Sequence, residues 1–483
     1  MKEVGIIILG AGMSGICMAI KLRDAEIFDF EILEKSDDVG GTWHDNIYPG
    51  ACCDVPAALY SFSFEPNPDW SCIYPPQVEI QRYFVHCVDK YQLRKHIRFN
   101  SEVVSAEYQE DGHWVVTLAN GEQICSRILI SGLGQLNLPY KPKIDGVEYF
   151  DGDVFHSARW NSSLDLNGKR IAVIGNAASA IQLIPPLSKQ ASKLYIYQRT
   201  ANFIIARNDR DYGKMARSAF RTLPITQKTL RLFYYLRQEL LFFGAMFPGT
   251  LRGRLITWMA NQYLQTEVKD SSLWQTLTPD YPLGCKRVLV SDDYYQALNK
   301  DCVEIVTSPI NGLDKSGVCT GDAVQRSVDV IVYATGFRAT ELLAPLTIKG
   351  ENGIDLNKSW RDGAEAHRGV AQSGFPNFYM LYGPNTNLGH SSIIYMVEKQ
   401  VGYIIQCIKK ILDDKLQSLQ PKQNAQAEFN HHIQKALKKT IWSGECGSWY
   451  KNDSGKITNN WPHSSTRFAI MMRNVNFNEY EQK

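Results

Sequence analysis

At 483 residues, with 44% hydrophobic and 11% aromatic residues, the chain is long enough for two or three domains whose cores need neither disulfides nor metals. A net charge of +2, with 21% of residues charged, leaves no electrostatic footprint for a nucleic-acid partner. Eleven cysteines without paired spacings and without a CxxC exclude a zinc ribbon and a dithiol redox pair, and read as reduced thiols in a cytoplasmic protein.

The chain opens almost directly on a strand at residues 4–9, leaving no room for a signal peptide. Its run Ile6-Ile-Ile-Leu9 has no polar position, as expected for a strand buried on both faces of a parallel sheet. Gly10-Ala-Gly12-Met-Ser-Gly15 follows. Gly10 suits the tight turn, Gly12 the approach of backbone to a pyrophosphate, and Gly15 close packing of helix on strand. A helix over residues 16–23 would turn its N-terminal amides toward the phosphates. The next strand, residues 28–33, ends at Glu34, where a carboxylate can accept both ribose hydroxyls. Strand, turn, helix and acid together define a dinucleotide site.

A second site starts at Arg170-Ile-Ala-Val-Ile-Gly175 and continues Asn-Ala177-Ala-Ser179-Ala180. Alanine at the third glycine position is ordinary, whereas the methyl of Ala177 crowds the pyrophosphate approach. The following strand, residues 193–197, ends in Gln198-Arg199-Thr200 rather than an acid. An arginine at this position suits a 2′-phosphate and favours NADPH over NADH.

Residues 207–280 fit no nucleotide pattern and read as an amphipathic helical insertion that shapes the substrate entrance. Its most apolar part, residues 230–247, is broken by Arg231, Arg237 and Glu239, too short an uncharged run to span a bilayer. We read it as covering a pocket or a partner surface, ahead of lying on a membrane. Residues 329–333 are another buried strand, ending in Ala334-Thr335-Gly336.

The first turn, followed by Gly40-Gly41-Thr42-Trp43, resembles the FAD site of the two-dinucleotide flavoprotein superfamily, in which the second nucleotide domain is inserted into the first. The implied fold is α/β, with two Rossmann-like dinucleotide-binding domains and a helical insertion. Residues 1–148 would be the first part of the FAD domain, 149–328 the NADPH domain, and 329–483 the second FAD part with a C-terminal substrate and NADP segment. The turn at 334–336 would carry the chain back into the FAD domain.

Two segments narrow the resemblance. Phe150-x-Gly152-x3-His156-x3-Trp160 resembles the fingerprint of type I Baeyer–Villiger monooxygenases, departing mildly at Asn161. Gly40-Gly41-x-Trp43-x4-Tyr48-Pro49-Gly50-x3-Asp54 matches the other pattern of that family at every position. Further matches are Lys286-Arg287 with Tyr294-Tyr295, Gly383 to His390, Ser448-Trp449-Tyr450 and Trp461-Pro462.

The resemblance implies a flavoprotein monooxygenase that uses NADPH, FAD and O2 to insert oxygen beside a ketone carbonyl through a flavin C4a-peroxide, giving an ester or lactone, with sulfoxidation as a side activity. It places Arg287 over the flavin as a permanent cation, with Asp54 as its counterion. It assigns Gly41, Thr42, Trp43, Asp54, Tyr60, Ser179, Ala334, Thr335, Gly336 and Asn387 to the cofactors beside the glycine turns and Glu34. Lys286, Arg199 and Thr200 would hold the 2′-phosphate. His156 would position domains rather than transfer protons, Trp160 would pack the same linker, and Cys53 is by default a small buried filler. No metal is expected, nor stable membrane insertion, and the protein would be a monomer or homodimer. Two alternatives stand beside this reading: an N- or S-oxygenating flavin monooxygenase, and a non-catalytic NADPH-binding redox sensor. The missing CxxC excludes a flavin disulfide reductase.

Overall fold

The computed structural model describes residues 1–444, 450–452 and 454–483. Ser448 and Trp449 of the C-terminal match lie outside the described residues.

The chain forms β1 (Lys2–Leu9), α1 (Met13–Asp24), β2 (Phe30–Leu33), α2 (Thr42–Asp45) and α3 (Gln77–Lys90). It continues with β3 (Ile97–Arg98), β4 (Val103–Tyr108), β5 (Trp114–Leu118) and β6 (Gln123–Ser131). With β17 (Thr347–Lys349) and β18 (Phe378–Met380), these strands build an eight-stranded sheet ordered β17-β4-β5-β6-β1-β2-β3, β18 pairing with β6. β1 lies at its heart, parallel to both β2 and β6. The apolar run of β1 has this consequence: Ile6 and Ile8 join the core beneath α1, while Ile7 and Leu9 join the core on the opposite face. A strand buried on both faces has no position for a polar side chain.

The second sheet takes β7 (Asp153–His156), β8 (Arg170–Ile174), β9 (Lys193–Tyr197), β12 (Val303–Val306) and β16 (Val330–Tyr333) in the order β12-β9-β8-β16-β7, all parallel. Helix α4 (Ala178–Leu187) follows β8. A short antiparallel meander, β13 (Ile310–Asp314), β14 (Gly317–Thr320) and β15 (Gln325–Ser327), lies between β12 and β16. β16 was expected to open the return to the first domain. It is instead paired on both sides inside the second sheet, and the chain crosses back only after Tyr333. The apolar sequence of a central strand is the same whichever sheet claims it.

The two crossings run side by side. Tyr140 N–H donates to Gly336 O (2.8 Å) and Arg338 N–H to Leu138 O (2.9 Å), with a bridge between Pro139 and Phe337. The helical insertion leaves and returns through a two-stranded parallel pair, β10 (Ile204–Ile205) with β11 (Leu289–Val290). Between them lie α5 (Lys214–Thr222), α6 (Pro224–Arg237), a π-helical turn (Gln238–Phe242), a 3-10 turn (Phe243–Met246) and α7 (Leu251–Glu267).

Among the described residues, nine cysteines are free thiols. Cys285 is disulfide-bonded, a departure from the expectation of thiols throughout. A bridge made by tertiary approach leaves no spacing signal in a sequence.

Candidate active site

The first glycine turn has the backbone its residues were expected to supply. Gly10 takes φ +92°, and a Cβ on Gly15 would stand 1.9 Å from Gly10 O, so the helix can lie this close only without a side chain. Gly12 caps α1 with no side-chain acceptor and no acid in the first turn, leaving the helix N-terminus open to an anion. Glu34 is buried at the end of β2, where its carboxylate accepts Ala11 N–H (2.7 Å) and Ser36 N–H (2.9 Å). A carboxylate so occupied keeps acceptor capacity for hydroxyls. Gly41, at φ +56°, backs onto Gly12: a Cβ there would lie 3.0 Å from Gly12 Cα. The Gly-Gly-Thr-Trp segment and the first turn therefore form one continuous wall. These features fit a bound dinucleotide.

The second turn copies the first. Gly175 takes φ +112°, and Ala177 caps α4 with φ −84°, ψ −163°, close to the −75°, −174° of Gly12. Ala177 therefore keeps the backbone of a glycine there and adds only an exposed methyl. Thr200 and Lys286 meet, with Nζ donating to Oγ1 at 2.6 Å, and Lys286 Nζ lies 4.6 Å from the centre of the Tyr281 ring. Burial and then the neighbouring Arg199 hold the Lys286 ammonium below the usual lysine range. Two cations set together at the end of β9 fit a dianionic phosphate. Ala334-Thr335-Gly336 lies against this second turn, a Cβ on Gly175 coming within 2.5 Å of Ala334 O. Ser179 stands at the start of α4, near Tyr48.

Arg287 and Asp54 come together from opposite units. Arg287 reaches from the segment leading into β11, and its Nε (2.8 Å) and one terminal amine (2.7 Å) both bind Asp54 Oδ2. Asp54 above all, and then the Tyr450 and Tyr382 hydroxyls, keep the guanidinium charged against the cost of burial. The pair lies deep in the molecule, yet about a third of the Arg287 side chain (33%) is open to solvent. The Nε–H is donated to Asp54, and the terminal amines keep N–H groups for another partner. Tyr60 lies close by, accepting Trp43 Nε1–H at 2.9 Å, and burial pushes its hydroxyl far above the usual range.

The chain matches the model of the "Flavin-binding monooxygenase-like" family over residues 2–342. It is 38% identical over 482 residues to a Baeyer–Villiger monooxygenase of Pseudomonas aeruginosa, covering 99% of this chain and 91% of that one. This chain is a Baeyer–Villiger-type member of the flavin-binding monooxygenase-like family. It is also 40% identical over 493 residues to the FAD-binding monooxygenase ktnD of Aspergillus niger, covering 98% of this chain and 81% of that one. Among solved structures, OTEMO in complex with FAD and NADP superposes with a TM-score of 0.90 at 28% identity, over 99% of both chains.

In this Baeyer–Villiger-type chain the rest of the two long motifs is structural glue. Tyr48 hydroxyl donates to Gln182 Oε1 (2.8 Å), and Gln182 Nε2 donates to Cys52 O (3.0 Å). Gly50, at φ +83°, would put a Cβ 2.2 Å from Gln182 O. The loop that carries Asp54 is thereby docked on α4 of the second sheet. His156 is fully buried: Nδ1 accepts Ala158 N–H (3.1 Å) and Nε2 donates to Gly336 O (3.0 Å). Burial lowers its pKa to about 4, so the ring is neutral and both nitrogens are occupied. Gly152 leaves room for Phe150, whose ring a Cβ there would strike at 2.5 Å, and Trp160 packs edge-on against Phe155 at 5.1 Å. Cys53 is buried, with its thiol pushed well up by burial and then by Asp54.

The Asn387 side chain is buried and shared between two neighbours. Its Oδ1 accepts the Tyr382 hydroxyl and its Nδ2 donates to Asn460 Oδ1, each at 2.7 Å. Tyr382 itself, beside Arg287, was missed, as was the proximity of Tyr450. Tyr382 follows β18 at the carboxyl end of a parallel sheet, where sites gather, and takes φ +59°, a left-handed conformation that a tyrosine rarely adopts. Its place just before Gly383 was the available signal.

Proposed function

We propose that this chain is an FAD- and NADPH-dependent monooxygenase that inserts one oxygen atom of O2 next to a ketone carbonyl, giving an ester or lactone. FAD would lie along the first sheet, from the Gly10–Gly15 turn to Trp43 and Asp54, and NADPH along the second, from the Gly175–Ala180 turn to Arg199, Thr200 and Lys286. The first unit then comprises residues 1–148 with the chain beyond Gly336, and the second unit what lies between. When bound, FAD supplies the reaction with O2 and NADPH the hydride.

The residues supply charge, position and dryness. The observation that carries the reading is Arg287, paired with Asp54 and about a third open to solvent. Its remaining N–H groups present a permanent cation where the ketone carbonyl oxygen gains negative charge, and Asp54 fixes the plane of the guanidinium. Tyr60 and Trp43 hold each other on the near wall, and Tyr382 is held by Asn387. His156 has no free nitrogen with which to move a proton and acts as a positioning residue at the crossings.

The test is a panel of ketones and sulfides, followed for both NADPH loss and oxygenated product. The wild type should make ester from at least one ketone, and Arg287→Ala should lower that rate by about 10²–10³-fold, the usual loss for a group stabilising developing charge. Sulfide oxidation with no ester from any ketone would instead establish an N- or S-oxygenating enzyme. A colourless protein that leaves NADPH intact would establish a binding protein.

A further inference from the structure

The helical insertion has two faces, and the reaction accounts for one. Its inner face is tied to the site loops: Arg231 donates to Ala58 O and Ser61 O, and Glu239 bonds His390 and Ser465. Its outer face is apolar. On α6 and the turn that extends it, Ile225, Leu232, Phe233, Leu236 and Leu240 fall at i, i+7, i+8, i+11 and i+15, one helical stripe, with Phe233 57% and Leu240 62% exposed. On α7, Leu251, Leu255, Trp258 and Met259 fall at i, i+4, i+7 and i+8, with Leu251 80% and Trp258 59% exposed. A helix face meant for water carries polar residues at such positions, and stripes this apolar mark a surface that is covered in use.

The charge around the stripes says by what. From α5 to the end of α7, residues 214–267, the chain holds eight Lys and Arg, of which Arg231 and Arg237 turn inward. Against them stand two acids: Glu239, also turned inward, and Glu267, bonded by Gln296. Arg221 pairs with Asp69, whereas among the described residues Lys214, Arg217, Lys228, Arg252 and Arg254 have no carboxylate within ion-pair distance. A symmetric contact between two copies would set these cations against their own kind, which disfavours it. An anionic lipid surface meets both features at once. No described helix is long and apolar enough to cross a membrane, so the contact is with the surface.

We propose that α6 and α7 seat the protein on an anionic lipid bilayer, with their apolar stripes at the headgroup–acyl boundary and the basic residues among the headgroups. The expectation that this segment covers a pocket describes its inner face, and the membrane contact belongs to its outer one.

Co-sedimentation of the purified full-length protein with vesicles tests this. Vesicles of equal parts phosphatidylglycerol and phosphatidylcholine should bind it at least about tenfold more tightly than pure phosphatidylcholine, and high salt should release it. Lys228→Glu with Arg254→Glu should weaken binding by about 25-fold or more, about fivefold per charge removed. Phe233→Ser with Trp258→Ser should weaken it by about tenfold through lost apolar contact. Thermal unfolding shows that each variant is folded. The proposal is overturned if the wild type ignores the anionic vesicles, or if both folded variants bind as the wild type does. It is equally overturned if the wild type ignores vesicles and forms a dimer that Phe233→Ser with Trp258→Ser breaks, which makes the stripes a contact between copies.

Discussion

Replacing Lys286 with alanine separates the part of nucleotide recognition that reads the 2′-phosphate from the part that reads everything else. In the free protein the Lys286 ammonium sits 2.6 Å from Thr200 Oγ1 and beside Arg199, and burial together with that second cation lowers its pKa. A phosphate monoester carrying roughly −1.5 to −2 charges relieves the repulsion between the two cations and gains a charge-assisted hydrogen bond. Such a bond is worth about 1.5–3 kcal/mol, and at a half-buried lysine the lower part of that range applies. About 2 kcal/mol corresponds to a roughly 30-fold rise in KM for NADPH. NADH lacks the phosphate, so its KM should stay within about twofold, and the preference for NADPH should fall by the same roughly 30-fold. Because the protonated amine binds the phosphate and its pKa in the free protein is depressed, affinity for NADPH is full at lower pH. It is lost as pH rises through that depressed value. Lys286→Arg should flatten the alkaline loss, since a guanidinium does not deprotonate there. Initial rates of nucleotide oxidation across pH, with both nucleotides and all three proteins, measure this. Equal rises in KM for NADPH and NADH, or an alkaline loss that persists in Lys286→Ala, would refute the assignment.

Other residues make separate predictions. Gly50→Ala combines a left-handed φ of +83° with a Cβ 2.2 Å from Gln182 O, and should cost about 2–4 kcal/mol in denaturant unfolding while loosening FAD retention. For His156 the native pKa of about 4 lies below the unfolded value of about 6.5, so unfolding takes up a proton between them. Its contribution is complete above pH 6.5 and falls by about 3 kcal/mol as the pH drops to 4. His156→Gln should flatten the acid limb of stability by that amount. His367 and His463, also held at about 4, keep the rest of the slope. Ala177→Gly, which removes an exposed methyl from a backbone already glycine-like, should lower KM for NADPH about two- to threefold at unchanged kcat. A rise in KM would mean that the methyl contacts the nucleotide favourably.

Much of the fold could be read directly because parallel strands buried on both faces leave an unmistakable pattern, as in Ile6–Leu9 and Ile171–Ile174, and because glycines such as Gly10 and Gly15 are demanded by contacts a side chain would break. Arg287 and Asp54, 233 positions apart, were paired only through resemblance, since no local periodicity links them. Tyr382 and Gln182 went unread, and Tyr450 was read only as part of a match, for the same reason: their importance lies in which distant segment each one touches. The meaning of Tyr48 and Gly50 changed most, from members of a motif to the two points where one loop docks on α4. The edge of the second unit was misplaced because β16 is apolar enough for either sheet.

The paired crossings have a thermodynamic consequence for the molecule's architecture. Seen from the first sheet, everything between Tyr140 and Gly336 is one loop, and its ends are joined by a 2.8 Å hydrogen bond. The entropy of closing a loop rises only with the logarithm of its length. The first unit therefore gives up little by hosting an entire second unit, whose own parallel sheet repays the ordering of its residues. A cut at these crossings should leave each unit with its severed ends already side by side, the two still held together by contacts such as Arg287–Asp54 and Tyr48–Gln182.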